Sequence, residues 1–309
     1  MISRILLTII AVSLLCTSVP AGEAGAHERV AVILSLSEAP FREVVAGLKA
    51  RIEREGFAPV YDIFELDGAT ANAGPAFAKI RNGNYAAVIT LGALATDLAV
   101  KEVPDAPLIA GLILRPDILK RARNATGVTL EFTGEQQLQW IRKMLPEAKT
   151  VGVLYSKENR NAVELADRIA ATLGLEIVKQ EIETPEGVPA ALNRIAQRAD
   201  VLWGIPDSLV LSAQLAKPIL LFSFHNKIPF VGPSAPWVKA GALYALDWDY
   251  KDLGSQCGEK AIQVFNGAAP GSLPPAVPRK VLYSINVNTS KTMKIQISDQ
   301  LLKGARTTY

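Results

Sequence analysis

Short apolar segments alternate with amphipathic ones along most of the chain, and this alternation limits the possible folds more than any other feature. Val30–Leu34 is a continuous apolar run with the length of a buried strand. Phe41–Glu55 then has apolar residues at helical spacing and is followed by Gly56, a typical helix end. Apolar strands that alternate with helices predict βαβ units, in which helices cover both faces of a parallel sheet. The sequence therefore predicts an α/β fold.

The alternation continues beyond this first unit and restarts near the middle of the chain. In the first half it predicts strands at Val60–Phe64, Ala87–Thr90 and Leu108–Leu112, and helices at Ala73–Arg81 and Gly92–Lys101. In the second half it predicts strands at Thr150–Tyr155, Glu176–Glu181, Val201–Ile205, Pro229–Gly232, Ala242–Leu246 and Val281–Val287. The helices predicted there are Glu135–Leu145, Ala162–Leu173, Val188–Arg198, Leu209–Phe222 and Tyr250–Phe265, with two short ones at the end. We therefore expect two doubly wound parallel-sheet lobes joined by a hinge.

The first 26 residues have the pattern of a secretory signal peptide. A charged start is followed by the apolar run Ile5–Leu15 and by small residues that end at Ala21 or Ala26, where we expect cleavage. The run is shorter than the roughly 20 residues that span a bilayer. The bulky leucine before Cys16 argues against lipid attachment at that cysteine. The sequence thus predicts export to the periplasm, and an uncleaved N-terminal anchor is the alternative.

Composition argues against several classes of function. The net charge of +3 is spread along the chain without basic blocks, which predicts no nucleic-acid partner. Beyond the signal peptide Cys257 is the single cysteine, so neither an internal disulfide nor a thiolate metal cluster can form. Of two histidines, His27 lies at the expected cleavage point and His225 lies at a helix end, where it favours the helix dipole. We expect no metal.

Known catalytic and cofactor motifs are also missing. The sequence contains no G-x-S-x-G elbow, no P-loop and no H-E-x-x-H. The loop after the first strand, Ser35–Glu38, has no glycine, whereas a dinucleotide-binding enzyme would carry its Gly-rich turn there. The sequence therefore predicts a binding protein without a cofactor rather than an enzyme.

Polar and aromatic side chains follow several predicted strands. In open α/β sheets ligands bind beyond the carboxyl ends of the strands, so these residues are the candidate ligand contacts. The candidates are Ser37, Glu38, Gly92, Ala93, Arg115, Tyr155, Asn159, Asn161, Asp207, Ser234 and Trp237. The helix that starts at Gly92–Ala93 would offer backbone N–H groups to a carboxylate.

Each candidate also has a purely structural interpretation. Ser37 and Ser234 could cap helices, and Asp207 could be an N-cap. The aromatic candidates could belong to the core or its rim, and Arg115 could pair with Asp117 on the surface. Both interpretations stay open at this point.

An ordered set of short motifs in the second half resembles a known family. The set comprises Asn124–Val128, Val151–Tyr155 followed by Asn161, Asp200-Val201, Pro206-Asp207, Ser212-Ala213, Val238-Lys239, Gly241–Leu243, Asp249-Tyr250 and Leu253-Gly254. It is similar to the ABC-transporter substrate-binding family that includes tryptophan- and tyrosine-binding proteins. The resemblance covers essentially the whole chain after the signal peptide.

The resemblance implies a type I periplasmic-binding-protein fold with three strands crossing between the lobes. One lobe would comprise residues 27–127 and about 247–278, and the other residues 128–246 and about 279–309. The ligand would be enclosed between the lobes without chemical turnover. By the same resemblance, Asp207 would face the amino group of an aromatic amino acid, and Asn161 and helix N-termini would lie near its carboxylate.

The expected function is capture of a small polar ligand, an amino acid or similar, and its delivery to an ABC permease in the inner membrane by a monomer. Two alternatives to this function are a ligand sensor for a membrane signalling protein and an exported enzyme on the same fold. Several positions differ from the family pattern. Gly92-Ala93 stands where the family often has Thr-Pro, and Arg115 stands where it often has an aspartate, which suggests a ligand with an additional anionic group.

Overall fold

The chain forms two mostly parallel β-sheets, each covered by helices. The structure, a computed structural model, describes residues 28–114 and 116–309. The predicted signal peptide, with both of its cleavage points and Cys16, lies outside the described residues, and so does Arg115. None of the helices in the described part has the length and apolar character needed to cross a membrane.

The first sheet has five parallel strands in the order β2-β1-β3-β4-β5. Its elements are β1 (Arg29–Leu34), α1 (Ala39–Arg54), β2 (Val60–Glu65), α2 (Ala73–Asn82), β3 (Ala87–Leu91), α3 (Ala93–Glu102), β4 (Leu108–Ile113) and β5 (Ala125–Thr129). Apolar clusters lie on both of its faces, which is why residues 30–34 of β1 form a continuous apolar run.

The second sheet has seven strands in the order β12-β11-β10-β9-β8-β6-β7. Its strands are β6 (Thr150–Tyr155), β7 (Glu176–Glu181), β8 (Val201–Trp203), β9 (Phe230–Gly232), β10 (Tyr244–Trp248), β11 (Val281–Ile285) and β12 (Thr307–Thr308). The remaining helices are α4 (Gly134–Met144), α5 (Arg160–Thr172), α6 (Val188–Ala196), α7 (Ala213–Asn226), α8 (Ala235–Ala240), α9 (Tyr250–Phe265), α10 (Val287–Met293) and α11 (Asp299–Gly304). The pairing of β10 with β11 is antiparallel, whereas the sequence predicts a parallel sheet throughout.

Helix α9 follows a strand of the second sheet but packs against the first lobe. Leu253, Cys257 and Ala261 belong to the same apolar cluster as β1 and β3. Its backbone approaches α1 closely, because a Cβ at Gly254 would lie 2.0 Å from the Val44 carbonyl oxygen and one at Gly47 would lie 2.0 Å from that of Lys251. Two glycines therefore permit the contact that returns the chain to the first lobe.

The chain consequently passes between the lobes three times. The passages lie between β5 and α4, between β10 and α9, and between α9 and β11. They are short or extended segments of the kind that absorbs a hinge motion. Strands β5 and β10 end close to the lobe boundaries expected at residues 127 and 247, and these boundaries stay a prediction.

Some elements differ from the prediction for identifiable reasons. Strand β5 is absent from the prediction because Thr126 and Gly127 interrupt its apolar run, and its place in the sheet comes from pairing with β4. Helix α7 begins at Ala213 rather than Leu209. The residues before it form turns, because the Asp207 carboxylate accepts hydrogen bonds from the N–H groups of Leu209 and Val210.

Candidate ligand-binding site between the lobes

A cavity of about 680 Å³ lies between the two lobes. Leu114, Pro116 and Asp117, which follow β4, line it from the first lobe. Residues 130–132 line it from the passage between β5 and α4, and Trp248 lines it from the end of β10. The second lobe contributes the ends of β8 and β9 and the first turns of α4 and α5. This is the position at which open α/β sheets bind ligands.

An aromatic pair forms one wall of the cavity. The rings of Phe132 and Trp248 are stacked, with centroids 5.4 Å apart and an interplanar angle of 8°. The Trp248 indole N–H donates to the carbonyl oxygen of Leu130 over 2.8 Å. Because Phe132 and Leu130 lie in the passage between β5 and α4 and Trp248 is the last residue of β10, the stack and the hydrogen bond hold this passage to the end of β10 beside the cavity.

Aromatic side chains also line the cavity from the second lobe. Trp203 on β8 donates its indole N–H to Oε1 of Gln137 on α4 over 2.7 Å. Trp237 on α8 packs edge-on against Phe230, with ring centroids 5.6 Å apart. On β10, Tyr244, Leu246 and Trp248 alternate along the strand and so share one face of the sheet. Five aromatic residues therefore belong to the lining of the cavity.

Asp207 is a buried carboxylate of the cavity that accepts four hydrogen bonds. It is 5% exposed. One oxygen accepts from the Ser156 backbone N–H over 2.7 Å and from the Asn159 amide over 2.8 Å. The other accepts from the N–H groups of Leu209 and Val210. Burial opposes ionisation, but the hydrogen bonds outweigh it and hold the pKa of Asp207 below its ordinary value. The carboxylate thus joins the loop after β8 to the loop after β6.

The other charged groups that line the cavity are acidic. Asp117, Glu131 and Glu158 join Asp207 there, and no lysine or arginine is present among the lining residues that the structure describes. Asp117 accepts from the ammonium of Lys120 over 2.9 Å. The surroundings of the cavity therefore combine aromatic rings with carboxylates.

Helix α4 begins at the cavity. Thr133 and Gln136 form a capping box, in which the Thr133 hydroxyl accepts from the Gln136 N–H and the Gln136 side chain accepts from the Thr133 N–H. Gly134 and Gln137 of the first turns line the cavity. The positive end of a helix dipole therefore points toward this space.

Four of the predicted contacts line this cavity: Asn159, Asn161, Asp207 and Trp237. Arg115 is outside the described residues, although both of its neighbours in the sequence line the cavity. Tyr155 is 5% exposed and belongs to the core of the second lobe. Ser234 precedes α8 as its N-cap residue.

The predicted contacts of the first lobe that the structure describes, Ser37, Glu38, Gly92 and Ala93, are not among the lining residues. The Ser37 hydroxyl donates to Glu65 and Asp67, and Glu38 is the N-cap residue of α1. Gly92 and Ala93 begin α3, whose Ala95 N–H donates to the Ser35 hydroxyl over 2.9 Å. Part of the helix N-terminus that the sequence offers to an anion is thus capped by the chain's own serine.

Most of the aromatic wall was not predicted: Phe132, Trp203, Tyr244 and Trp248. The predicted strand Ala242–Leu246 ends two positions before Trp248, so the alternation of Tyr244, Leu246 and Trp248 is cut short. Phe132 lies far from them in the sequence, and only the tertiary fold brings it to Trp248.

Two α/β lobes, three passages and a cavity between them define a binding protein with the type I periplasmic-binding-protein fold. The family model described as "ABC transporter substrate binding protein" matches residues 29–309. The chain therefore belongs to this family, whose members are substrate-binding proteins and not enzymes and bind small molecules for ABC permeases. The family and the fold expected from the sequence are confirmed.

A curated relative is the tyrosine-binding protein of Clostridioides difficile (strain R20291), which is 29% identical over 220 residues. The match covers 68% of this chain and 62% of the relative, so it spans less than two-thirds of the relative's length.

Two solved structures share the fold. An ABC domain from Streptococcus pneumonia in complex with L-Trp is 20% identical, with a TM-score of 0.58 over 92% of this chain and 100% of that one. The ligand-free, open structure of a substrate-binding protein with adhesive properties from Clostridium difficile is 18% identical. Its TM-score is 0.73 over 91% of this chain and 98% of that one.

Proposed function

We propose that the chain is an extracytoplasmic solute-binding protein that captures a small ligand, an amino acid or similar, between its lobes and delivers it to an ABC importer. The observation that carries this proposal is the cavity of about 680 Å³, to which both lobes and the passage between β5 and α4 contribute residues. A ligand that contacts both lobes favours the closed arrangement of the hinge, because it binds that arrangement more tightly.

The chemistry of the wall supports a ligand with an apolar body and a charged head. The partly exposed rings of Phe132, Trp237 and Trp248 offer stacking area for the body. The carboxylates and the faces of the tryptophan rings favour an ammonium group, and the N-terminus of α4 favours a carboxylate. A free amino acid combines these groups. The name of the curated relative, a tyrosine-binding protein, supports the same class of ligand.

The site of action follows from the predicted signal peptide. We propose that residues 1–26 are removed on export and that the mature chain acts in the periplasm as a monomer, with the permease as its protein partner and without nucleic acid. N-terminal mass spectrometry of the exported protein tests the cleavage. A mature chain that starts after Ala21 or Ala26 supports it, and a retained Met1 contradicts it.

Calorimetric titration of the exported protein, expressed from the full-length gene, tests the binding function. After removal of any bound ligand, the protein is titrated with the 20 amino acids, purines and organic acids. We expect one class of ligand to bind with a Kd in the micromolar range or below, about −8 kcal/mol or stronger, and to be recovered unchanged. Failure of every compound to bind, or chemical conversion of the ligand, would contradict the proposal.

Two tryptophan variants test whether the ligand binds in the cavity. Trp237→Ala removes a lining ring, whereas Trp140→Ala removes a ring that packs on Tyr283 away from the cavity. We expect Trp237→Ala to weaken the ligand about tenfold or more and Trp140→Ala to leave the Kd unchanged. Equal effects of the two substitutions would place the ligand elsewhere.

A further inference from the structure

Strand β4 contains an extra residue shortly before it reaches the cavity. From Ala110 to Ile113 the strand advances three residues, whereas its partner β5 advances two, from Gly127 to Thr129. Leu112 lies within this bulge and has a backbone φ of 55°, in the left-handed region. A residue with a Cβ rarely adopts this conformation, because its Cβ approaches the following carbonyl oxygen. The bulge is therefore maintained against backbone strain, and bulges of this kind often redirect a side chain at a functional site.

The bulge reverses the side-chain alternation of β4. In a regular strand Ala110 and Ile113, three positions apart, would face opposite sides of the sheet. Here both belong to one apolar cluster, whereas Ile109 and Leu112 pack with the cluster on the other face. A shift by one residue exchanges the two faces of a strand. The side chains that follow the bulge therefore point to the side opposite to the one that an uninterrupted strand would give them.

Leu114 is an apolar side chain that this arrangement presents to the cavity. It lies one residue beyond β4, is 60% exposed and lines the cavity from the first lobe. The carbonyl oxygen of Ile113, just before it, accepts from the Leu130 N–H over 2.8 Å, and the Leu130 carbonyl oxygen accepts from the Trp248 indole. The end of β4 is thus attached to one of the passages on which the lobes turn.

The opposite side of the cavity is suited to an apolar contact. Leu211 and Trp237 of the second lobe line it and are partly exposed. An exposed leucine gains free energy when it is covered, because its apolar surface leaves the water. Closure of the lobes would bring Leu114 toward this side, with the ligand between them.

We infer that the bulge at Leu112 positions Leu114, and that Leu114 is the apolar contact through which the first lobe binds the enclosed ligand. The inference rests on the proposed function and deepens it, because it assigns a ligand contact to the first lobe. Leu112 is a positioning residue, since it packs on the core cluster rather than lining the cavity. The contact requires an apolar surface on the ligand.

Calorimetric titration with the 20 standard L-amino acids tests the contact. For the one that binds the wild type most tightly, we expect Leu114→Ala to raise the Kd about fivefold or more, because most of the apolar surface is removed. Leu114→Met retains a similar volume and should change the Kd about twofold or less. Leu165→Ala is the matched control, since Leu165 on α5 is 52% exposed and is not among the lining residues. That substitution should leave the Kd unchanged.

Two substitutions at Leu112 test the positioning. Glycine adopts a φ of 55° without strain, so Leu112→Gly keeps the bulge and should retain the affinity within about twofold, although it lowers the thermal stability. The branched Cβ of isoleucine is strongly disfavoured in the left-handed region, so Leu112→Ile displaces Leu114 and should raise the Kd about fivefold or more. A residue that acts only through packing would give the reverse order, because isoleucine keeps the apolar volume that glycine removes.

The outcomes separate the inference from the proposed function. If Leu114→Ala binds as tightly as the wild type, or if Leu165→Ala weakens binding equally, the contact at Leu114 is overturned while the binding function stands. If Leu112→Gly weakens binding more than Leu112→Ile does, the positioning by the bulge is overturned. If no amino acid binds the wild type, the inference is overturned together with an amino acid as the ligand.

Discussion

The Trp248 indole N–H donates to the Leu130 carbonyl oxygen, 2.8 Å away, and thereby joins the end of β10 to the passage between β5 and α4, one of the three segments on which the lobes turn. Stacking of Phe132 on Trp248 reinforces this contact. The same ring lines the cavity. One side chain therefore takes part both in the hinge and in the proposed ligand site.

Trp248→Phe separates these two roles. The substitution retains an aromatic ring for stacking but removes the N–H donor. We expect a loss of about 1 kcal/mol in the free energy of unfolding, measured in urea, because the partly buried Leu130 carbonyl loses its donor. Trp140→Phe provides the comparison, since no contact with the passages is lost there. A Trp248→Phe variant as stable as Trp140→Phe would show that the hydrogen bond does not contribute.

Asp207→Asn should destabilise the second lobe and change its response to pH. The amide cannot accept all four hydrogen bonds that the carboxylate accepts, so we expect a loss of about 2 kcal/mol at pH 7. Since the pKa of Asp207 is lowered in the folded chain, its stabilising contribution is complete above the unfolded pKa of about 4. It is lost as the pH falls through the lower folded value.

Urea unfolding between pH 7 and pH 3 measures this difference. The gap in stability between wild type and Asp207→Asn should stay constant down to about pH 5 and shrink below about pH 4. Asp200→Asn is the control, because Asp200 also accepts two backbone N–H bonds but is exposed. An equal cost for both substitutions at pH 7 would contradict the importance of burial at Asp207.

Gly254→Ala tests the contact that returns α9 to the first lobe. A Cβ at this position would lie 2.0 Å from the Val44 carbonyl oxygen, so the two helices must move apart. We expect a loss of about 1–3 kcal/mol in thermal unfolding. Gly74→Ala in α2 is the matched control, because a Cβ there meets no atom within 4 Å. That substitution should be neutral or slightly stabilising, and an equal effect of both would contradict the close packing.

The architecture was predictable because strands buried on both faces leave continuous apolar runs. Strand β6 lies at its predicted bounds for this reason, and strand β7 and helix α9 also lie at their predicted bounds. Strand β5 was not predictable in this way, since Thr126 and Gly127 belong to a strand only through pairing with β4. The turns before α7 depend on Asp207, and sequence periodicity does not report side-chain capping.

The cavity was predictable only in part. Asn159, Asn161, Asp207 and Trp237 follow strands of the second sheet, and the rule about strand ends leads to them. The stack of Phe132 on Trp248 depends on how the passages meet, which no local pattern encodes. In the first lobe the same rule selects Ser37 and Gly92. The Ser37 hydroxyl, however, donates a hydrogen bond to Asp67, and the Ser35 side chain packs directly against Gly92.

Native mass spectrometry of the exported chain tests the central claim most directly. If the protein captures a solute between its lobes, the wild type should carry one small molecule per chain, and Trp248→Ala should lose it while Trp140→Ala retains it. Collisional release of that molecule would identify the ligand. A bare wild-type chain that gains no mass with any compound of the titration panel, or equal retention of the molecule by both variants, would contradict the account.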